Sequence, residues 1–304
     1  MVGPWRMAMI GMVLLLFGWI AGLVVFLRWI ENRPIRTIAS EAGFDAESAV
    51  PADLIGQVGG LFGRRYGPLV DKALRYHLRC NLIRYSLVTS PLLVVVIRLV
   101  GPDGREGGFL FASVFIFYIL SCATAAGMML NLLGFDGAGV RRYAVMPAPL
   151  GDALRAGSLA SMLLRLLVVL MAFVFWMIFY WREPKSWRMI AILAGVSLTG
   201  TVLYNGIGLW VSIFSAKSVD FDSMWNNRLS LGANAAILIG VMLPFFVGSA
   251  LIESYGSQRL LQNWWLSWVT TLISAGFYLV SFYKLDGMLR LRSESVIRRI
   301  AGAR

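Results

Sequence analysis

The chain has 304 residues, of which 58% are hydrophobic and only 14% are charged, and its formal net charge is +12. Soluble domains carry roughly 25% charged residues, so this composition excludes an ordinary soluble domain and predicts a membrane protein. The 28 Lys and Arg residues are scattered beside apolar runs, which favours contact with lipid headgroups over binding to nucleic acid.

The residues that usually hold metals are scarce. Cys80 and Cys122 are the only cysteines and His77 is the only histidine. These three residues are too few for a disulfide framework or a zinc site, so we expect no metal centre in this chain.

Seven apolar runs approach the roughly 20 residues that a helix needs to cross a bilayer. The fold class predicted is therefore an all-α membrane protein, a polytopic bundle of about seven transmembrane helices. The first run exceeds the h-region of a signal peptide and no small-x-small cleavage site follows it, so it is predicted to be a retained span. The runs are 7–27, 85–100, 109–132, 158–181, 189–214, 231–252 and 264–283.

The basic residues between these runs predict the orientation. Twenty Lys and Arg fall on one side of the alternating spans and six on the other, which places the N-terminus outside and the C-terminus in the cytoplasm. The domain organisation predicted is a leading span at 1–30, a cytoplasmic linker at 31–66 and a six-span block at 67–304.

An amphipathic helix is predicted ahead of the second span. Val70, Leu74, Leu78 and Leu82 recur at four-residue spacing on one face, and a basic face carries Lys72, Arg75 and Arg79. Such a helix lies in the membrane interface. An ordinary juxtamembrane helix that grips anionic lipid explains the pattern equally well.

A long cytoplasmic loop is predicted around 131–160. It is rich in Gly and Pro, and residues 151–155 have the composition of a short helix. Loops of this length usually have a function.

This loop resembles the permeases of ABC transporters of the type-2 exporter class, whose pattern is Asn-x-Phe-Gly-x-Asp-x-x-Gly with a Pro about two turns later. The positions that match are Asn131, Gly134, Asp136, Gly139 and Pro147, with Leu133 in the Phe position. The stretches 70–91 and 208–221 also resemble those permeases, so the resemblance samples most of 67–221.

The resemblance implies a permease subunit of a bacterial inner-membrane exporter that moves an amphipathic or lipid-like substrate. The implied elements are an elbow helix at 67–84 and a coupling loop at 133–157 that docks on an ABC ATPase subunit. The implied coupling residues are Asp136, Gly137, Gly139, Arg141, Arg142, Pro147, Asp152 and Arg155.

The energy source is expected on another chain. No lysine of this sequence follows a glycine, so the phosphate-binding motif G-x-x-x-x-G-K-[ST] is absent and the chain is not expected to be an enzyme. No cofactor is expected in it, while ATP and Mg²⁺ would be bound by the ATPase subunit. A second permease half, from another copy or another chain, and membrane lipid complete the expected partners.

Two alternatives follow from other residues. Asp220 and Asp222 form an acidic pair at the end of the fifth predicted span, which in a membrane enzyme would hold a divalent metal. Gly157 stands where the family commonly has Lys, and no proline lies near Ser215; a non-transporting scaffold subunit fits these departures.

Polar residues inside predicted spans are candidates for a transport path. Arg98 and Arg165 lie within about two turns of a predicted span end, so snorkelling to the interface is favoured for both. Asn205 and Asn234 are predicted to hold helices together by hydrogen bonds. Small residues from Gly195 to Gly208 predict close helix packing, and tryptophans at span ends predict aromatic belts.

Overall fold

The computed structural model describes residues 54–79, 81–100, 106–123, 132–133, 150–179, 187–214 and 261–301, together with positions 18, 21–22, 235, 239 and 259. The regular secondary structure in these ranges is helical, as predicted, with turns at 61–62 and 263–265, and seven helices follow in chain order. They are α1 (Leu54–Gly60), α2 (Gly63–Arg79), α3 (Asn81–Val100), α4 (Glu106–Ala123), α5 (Leu150–Phe179), α6 (Trp187–Phe214) and α7 (Leu266–Ala301).

Three described helices are long and apolar enough to cross a membrane, which is fewer than the seven predicted spans. The apolar parts are Leu150–Ile178 of α5, Trp187–Phe214 of α6 and Leu266–Arg292 of α7. Shorter apolar stretches, Ile83–Val96 and Ala112–Cys122, lie in α3 and α4, where two more spans were predicted. The predicted spans at 7–27 and 231–252 fall almost wholly outside the described residues.

Helix α5 begins earlier than the apolar run predicted. The run starts at Ser158, yet the helix starts at Leu150, directly after two prolines of the preceding loop. The short helix predicted at 151–155 is thus the first part of a continuous 30-residue helix. Asp152 lies in the first turn, where a carboxylate interacts favourably with the positive end of the helix dipole.

Helices α1 and α2 form a hairpin, and α2 packs on one face of α5. Gly63, which begins α2, has a φ of +72°, a backbone conformation that favours glycine. The predicted apolar positions Val70, Leu74 and Leu78 are buried. They pack on α5, where Ala156 and Ala160 let the helices approach closely.

The predicted boundary between linker and six-span block, at 66/67, falls inside α2. Helix α1 and the first turn of α2 lie in the segment that was predicted to be linker. Ile55 of α1 is buried in the same apolar cluster as Val70, so the packed region begins before the predicted boundary. The boundary differs because apolar residues of the predicted linker, such as Ile55, are buried in this cluster.

Helices α6 and α7 make the most extensive helix pair, and the predicted close packing is confirmed. A Cβ on Gly195 would lie 2.9 Å from Ser267 Cβ and 3.1 Å from its backbone carbon. The Thr271 hydroxyl donates to the Gly195 carbonyl at 2.9 Å. Close backbone approach and hydroxyl bonds are the usual way in which helices associate where water does not drive burial.

The distribution of polar and apolar side chains suits lipid better than water. Leu272 and Ile273 of α7 are 71% and 68% exposed, whereas Arg165 and Asn205 are 1% exposed. Soluble proteins rarely expose contiguous large apolar surfaces or fully bury an arginine. The outer surface of α7 is therefore of the kind that contacts hydrocarbon chains.

Helix ends that were predicted to lie on the outer side meet in the structure. The Trp187 and Trp264 rings pack edge to face, with 5.0 Å between their centroids. Trp187 is 59% exposed, as expected for a member of an aromatic belt. Met189, at the same end of α6, packs in one cluster with Val94 and Leu110 from the corresponding ends of α3 and α4.

Candidate functional site

The opposite end of the bundle carries a cluster of four charged residues from three helices. Arg65 of α2 donates two hydrogen bonds to Asp152 of α5, Nε to Oδ2 at 2.9 Å and Nη2 to Oδ1 at 3.0 Å. Arg155 Nη1 also donates to Asp152 Oδ1, at 3.2 Å. It also donates to Asp286 of α7, from Nη1 at 3.1 Å and from Nη2 at 2.8 Å.

This ion-pair cluster is neutral, with a buried centre and an exposed rim. The side chains of Asp152 and Arg155 are 5% and 6% exposed, and those of Arg65 and Asp286 are 64% and 51% exposed. The hydrogen bonds to Asp152 raise the pKa of the Arg65 guanidinium above its ordinary value. Removing one member of a buried pair leaves an uncompensated charge and costs about 3–5 kcal/mol, so the buried pair is the energetic centre.

Neighbouring groups fix the geometry of the cluster. Arg155 Nε donates to the carbonyl oxygen of Phe282 at 3.0 Å, and its guanidinium lies over the Phe282 ring, 5.3 Å from the centroid. A Cβ at Gly151 would collide with the Asp286 carboxylate. Glycine at this position therefore leaves room for the Asp286 carboxylate beside Arg155.

The cluster joins the helix that follows the long loop to two other helices. Asp152 and Arg155 stand in the first two turns of α5, so the last part of the predicted coupling loop, from Leu150 to Gly157, is helical. Through them α5 is bonded to α2 on one side and to α7 on the other. The cluster therefore links three helices at this end of the bundle.

Two of the predicted coupling residues, Asp152 and Arg155, are thus internal bonding residues. Both are buried, so neither side chain forms an exposed docking surface. Gly157 is also buried, and a Cβ there would lie 3.7 Å from the Leu132 side chain. A small residue therefore fits this buried position in contact with Leu132.

The predicted elbow residues lie on α2. Arg75 pairs with Asp71 one turn earlier, Nε to Oδ2 at 3.1 Å, and Lys72 Nζ lies 5.3 Å from the centroid of the Tyr76 ring. Arg79 is the last residue of the helix. His77 is 2% exposed, because it falls on the face that carries Leu74 and Leu78.

A second polar centre lies within the apolar part of the bundle, around Arg165. This residue is near the middle of α5 and 1% exposed, so the prediction that it snorkels to the interface was wrong. The error follows from the position of the helix start, since Leu150 rather than Ser158 begins α5. Arg165 Nη1 donates to the carbonyl oxygen of Ser121 at 2.9 Å, and the guanidinium lies over the Tyr204 ring, 5.5 Å from its centroid.

Asn205 joins α5 and α6, as predicted. Its Oδ1 accepts a hydrogen bond from the Ser161 hydroxyl at 3.0 Å, and its Nδ2 donates to the Thr201 carbonyl at 2.8 Å. The Ser158 hydroxyl lies 3.2 Å from Tyr278 Oη, which extends these contacts to α7. The prediction that Asn205 holds helices together is confirmed.

Several predicted site residues lie outside the described ranges. They are Asp136, Gly137, Gly139, Arg141, Arg142, Pro147, Asp220, Asp222 and Asn234. The backbone of Arg98 is described, and it places this residue in the last turn of α3.

Arg65 and Asp286 are the site residues that the sequence did not reveal. Arg65 lies in the segment predicted to be linker, and Asp286 follows the last predicted span. Their partners are 87 and 131 residues away along the chain, so no local spacing announces the contacts. One feature of the sequence could have indicated these contacts. Asp152 and Arg155 lie one turn apart ahead of an apolar run, and if the helix extends through them, both charges need partners from elsewhere in the chain.

Comparisons with protein-family models, curated proteins and solved structures find no match to this chain.

Proposed function

We propose that this chain is the permease subunit of a type-2 ABC exporter in the bacterial inner membrane. It has seven spans, with the N-terminus outside and the C-terminus in the cytoplasm. It moves an amphipathic or lipid-like substrate outward, and a separate ATPase subunit that binds ATP and Mg²⁺ supplies the energy. A second permease half, another copy or a different chain, completes the transporter, which is surrounded by membrane lipid and involves no nucleic acid.

The observation that carries the proposal is the ion-pair cluster. Arg65, Asp152 and Asp286 belong to three segments that the positive-inside count assigns to the cytoplasmic side, and their side chains meet at one end of the bundle. The Trp187–Trp264 contact lies among segments assigned to the outer side. If one of these segments were assigned to the wrong side of the membrane, its contacts would join residues assigned to opposite sides.

The cluster supports a mechanism in which the loop transmits force. An ATPase moves the permease only if it contacts the loop differently in its two nucleotide states, because a ligand shifts an equilibrium by its differential affinity. Docking falls to the loop residues from Asp136 to Pro147. Asp152 and Arg155 then carry the displacement into α2 and α7, because packed, hydrogen-bonded elements move as units.

The proposal is tested by isolating the intact chain from its native membrane in mild detergent. We expect an ABC ATPase subunit to co-purify, identified by mass spectrometry and by ATP hydrolysis. Reversing both loop charges, Arg141→Glu and Arg142→Glu, should weaken its retention at least about tenfold, which corresponds to about 1.4 kcal/mol.

The matched control is Arg188→Glu, which reverses a charge at the other end of the bundle. It should leave ATPase retention unchanged. Purification of the folded chain without any ATPase, under all nucleotide conditions, would refute the proposal.

The alternatives predict other outcomes of the same preparation. A scaffold subunit would hold partners whose ATP hydrolysis does not respond to the loop charges. A membrane enzyme that uses Asp220 and Asp222 would bind a divalent metal in a manner abolished by Asp222→Asn, and no ATPase would be present.

A further inference from the structure

Arg165 is a buried cation with open hydrogen-bond donors. A guanidinium has five N–H donors. In Arg165, Nη1 donates one hydrogen bond to the Ser121 carbonyl oxygen, whereas Nε and Nη2 have no hydrogen-bond partner within the described part of the chain. The residue is among the largest fully buried side chains. A guanidinium stays protonated even when buried, so the site carries a full positive charge.

The described surroundings of Arg165 do not neutralise this charge. It contacts a carbonyl oxygen and the face of the Tyr204 ring, with the Cys122 thiol nearby, and no carboxylate of the described ranges lies against it. A carbonyl and a ring face each compensate only part of a buried charge, whose desolvation costs several kcal/mol. Ionisable residues within apolar helices are for this reason functional-site candidates.

A second open polar group lies on the adjacent helix. Thr201 is fully buried, and its hydroxyl has no hydrogen-bond partner among the described residues. It precedes Tyr204 by one turn of α6, so the two residues share a face. Its neighbour Gly200 packs against Ser121 so closely that a Cβ would collide with the Ser121 hydroxyl, and Arg165 contacts the Ser121 carbonyl, so Thr201 belongs to the same part of the bundle.

We propose that Arg165 binds an oxyanion, a carboxylate or phosphate, between α4, α5 and α6, with the Thr201 hydroxyl as a further donor. A planar guanidinium with free Nε and Nη2 donors presents a pair of parallel N–H groups that matches two oxygens of such an anion. The anion is either the headgroup of an amphiphile or a free ion. The inference does not depend on an ATPase partner, and within the proposed exporter it would assign substrates with an anionic headgroup.

The test is the thermal unfolding of the intact chain in neutral detergent with three additions. These are phosphatidylglycerol, phosphatidylcholine and inorganic phosphate, the last compared with sodium chloride of equal ionic strength. Phosphatidylglycerol at about 100 times its dissociation constant should raise the unfolding midpoint by about 5 °C, and phosphatidylcholine should not. An equal rise with inorganic phosphate would identify the free anion as the ligand.

Variants assign the effect to the site. Arg165→Gln should abolish most of the rise, and native mass spectrometry should find one fewer retained phosphatidylglycerol. Arg188→Gln, which removes the same charge from an exposed position, should keep the rise and thereby exclude general binding to basic surfaces. Thr201→Val, which removes an open buried hydroxyl, should fold normally and weaken anion binding about tenfold.

Three results would overturn the proposal: equal stabilisation by all additions, an undiminished rise in Arg165→Gln, or a chain carboxylate in place of the ligand. Glu253, beside the predicted sixth span, lies outside the described ranges and is the carboxylate to test. If Glu253→Gln destabilises the chain as much as Arg165→Gln and the double variant is no worse, the two residues pair with each other. If Arg165→Gln does not fold, the anion affinity of Thr201→Val tests the site instead. An affinity equal to that of the native chain would refute the proposal.

Discussion

Two arginines are buried in α5, Arg155 and Arg165, and they differ in how far other parts of the chain compensate their charge. Arg155 is fully compensated, because two carboxylates, a backbone carbonyl and the Phe282 ring surround its guanidinium. The compensation makes the residue costly to remove, since Asp152 stays buried after its neighbour has gone. Arg165 lacks such carboxylates in the described structure and is for that reason the candidate ligand site.

Replacing Arg155 should destabilise the chain more than replacing an exposed arginine. Arg155→Gln removes the bond to buried Asp152 and both bonds to Asp286, and we expect a loss of about 3 kcal/mol in the free energy of unfolding. Arg188→Gln, at an exposed position, should change it by less than about 0.5 kcal/mol. Thermal unfolding in detergent measures both, and equal shifts would show that the cluster contributes nothing beyond surface charge.

His77 should make the stability depend on pH below neutrality. Burial lowers the pKa of its imidazole from 6.5 to about 4. The unfolded chain therefore binds a proton before the folded chain does, and stability falls as the pH drops from about 6.5 to about 4, by up to roughly 3 kcal/mol.

The difference between pH 7.5 and pH 5 in the unfolding midpoint measures this contribution of His77. His77→Gln does not titrate and should show a smaller difference than the native chain, whatever its stability at pH 7.5. The same pH difference in both proteins would mean that His77 is accessible to protons in the folded state.

The helices differ in what holds them together. Apolar contacts dominate between α2 and α5, where Val70 and Leu74 meet alanines. Small residues and hydroxyl groups make the contacts between α6 and α7. The Thr199 hydroxyl oxygen lies 3.2 Å from that of Thr270 and 3.0 Å from that of Thr271. The second kind of contact depends on close backbone approach and is therefore sensitive to a single added methyl group.

Gly195→Ala should separate α6 from α7. The added methyl group would lie 2.9 Å from Ser267 Cβ and 3.1 Å from a backbone carbon, so the helices must move and stability should fall by about 1–3 kcal/mol. Gly276→Ala is the matched control, because nothing lies within 4 Å of its Cβ position and alanine favours the helix by about 0.5–1 kcal/mol. In thermal unfolding we expect a lower midpoint for Gly195→Ala and a higher midpoint for Gly276→Ala. A lower midpoint in both variants would contradict the close packing.

Elements whose pattern is local could be predicted from the sequence. Val70, Leu74 and Leu78 report the buried face of α2 by their spacing alone, and a lone asparagine in an apolar run, Asn205, needs a partner on another helix. The start of α5 could not be found in this way. Asp152 and Arg155 interrupt the apolar run, and only partners distant in the chain show that the helix continues through them.

At the scale of the whole molecule, the described helices form a bundle with two chemically different ends. One end has the ion-pair cluster, and the other has the packed rings of Trp187 and Trp264. Between the two ends, α5, α6 and α7 each provide a stretch long and apolar enough to cross a membrane. The proposed coupling requires the loop before α5 to face the cytoplasm.

Labelling of single cysteines tests that requirement most directly. In a chain with Cys80→Ser and Cys122→Ser, cysteines are placed at Leu61, Arg142 and Lys185, and intact cells are treated with a thiol reagent that does not cross membranes. Leu61 is 82% exposed and lies beside the ion-pair end. We expect labelling at position 185 in intact cells, and at 61 and 142 only after the membrane is opened. Labelling of position 142 from outside would place the loop beyond reach of any cytoplasmic ATPase and contradict the account.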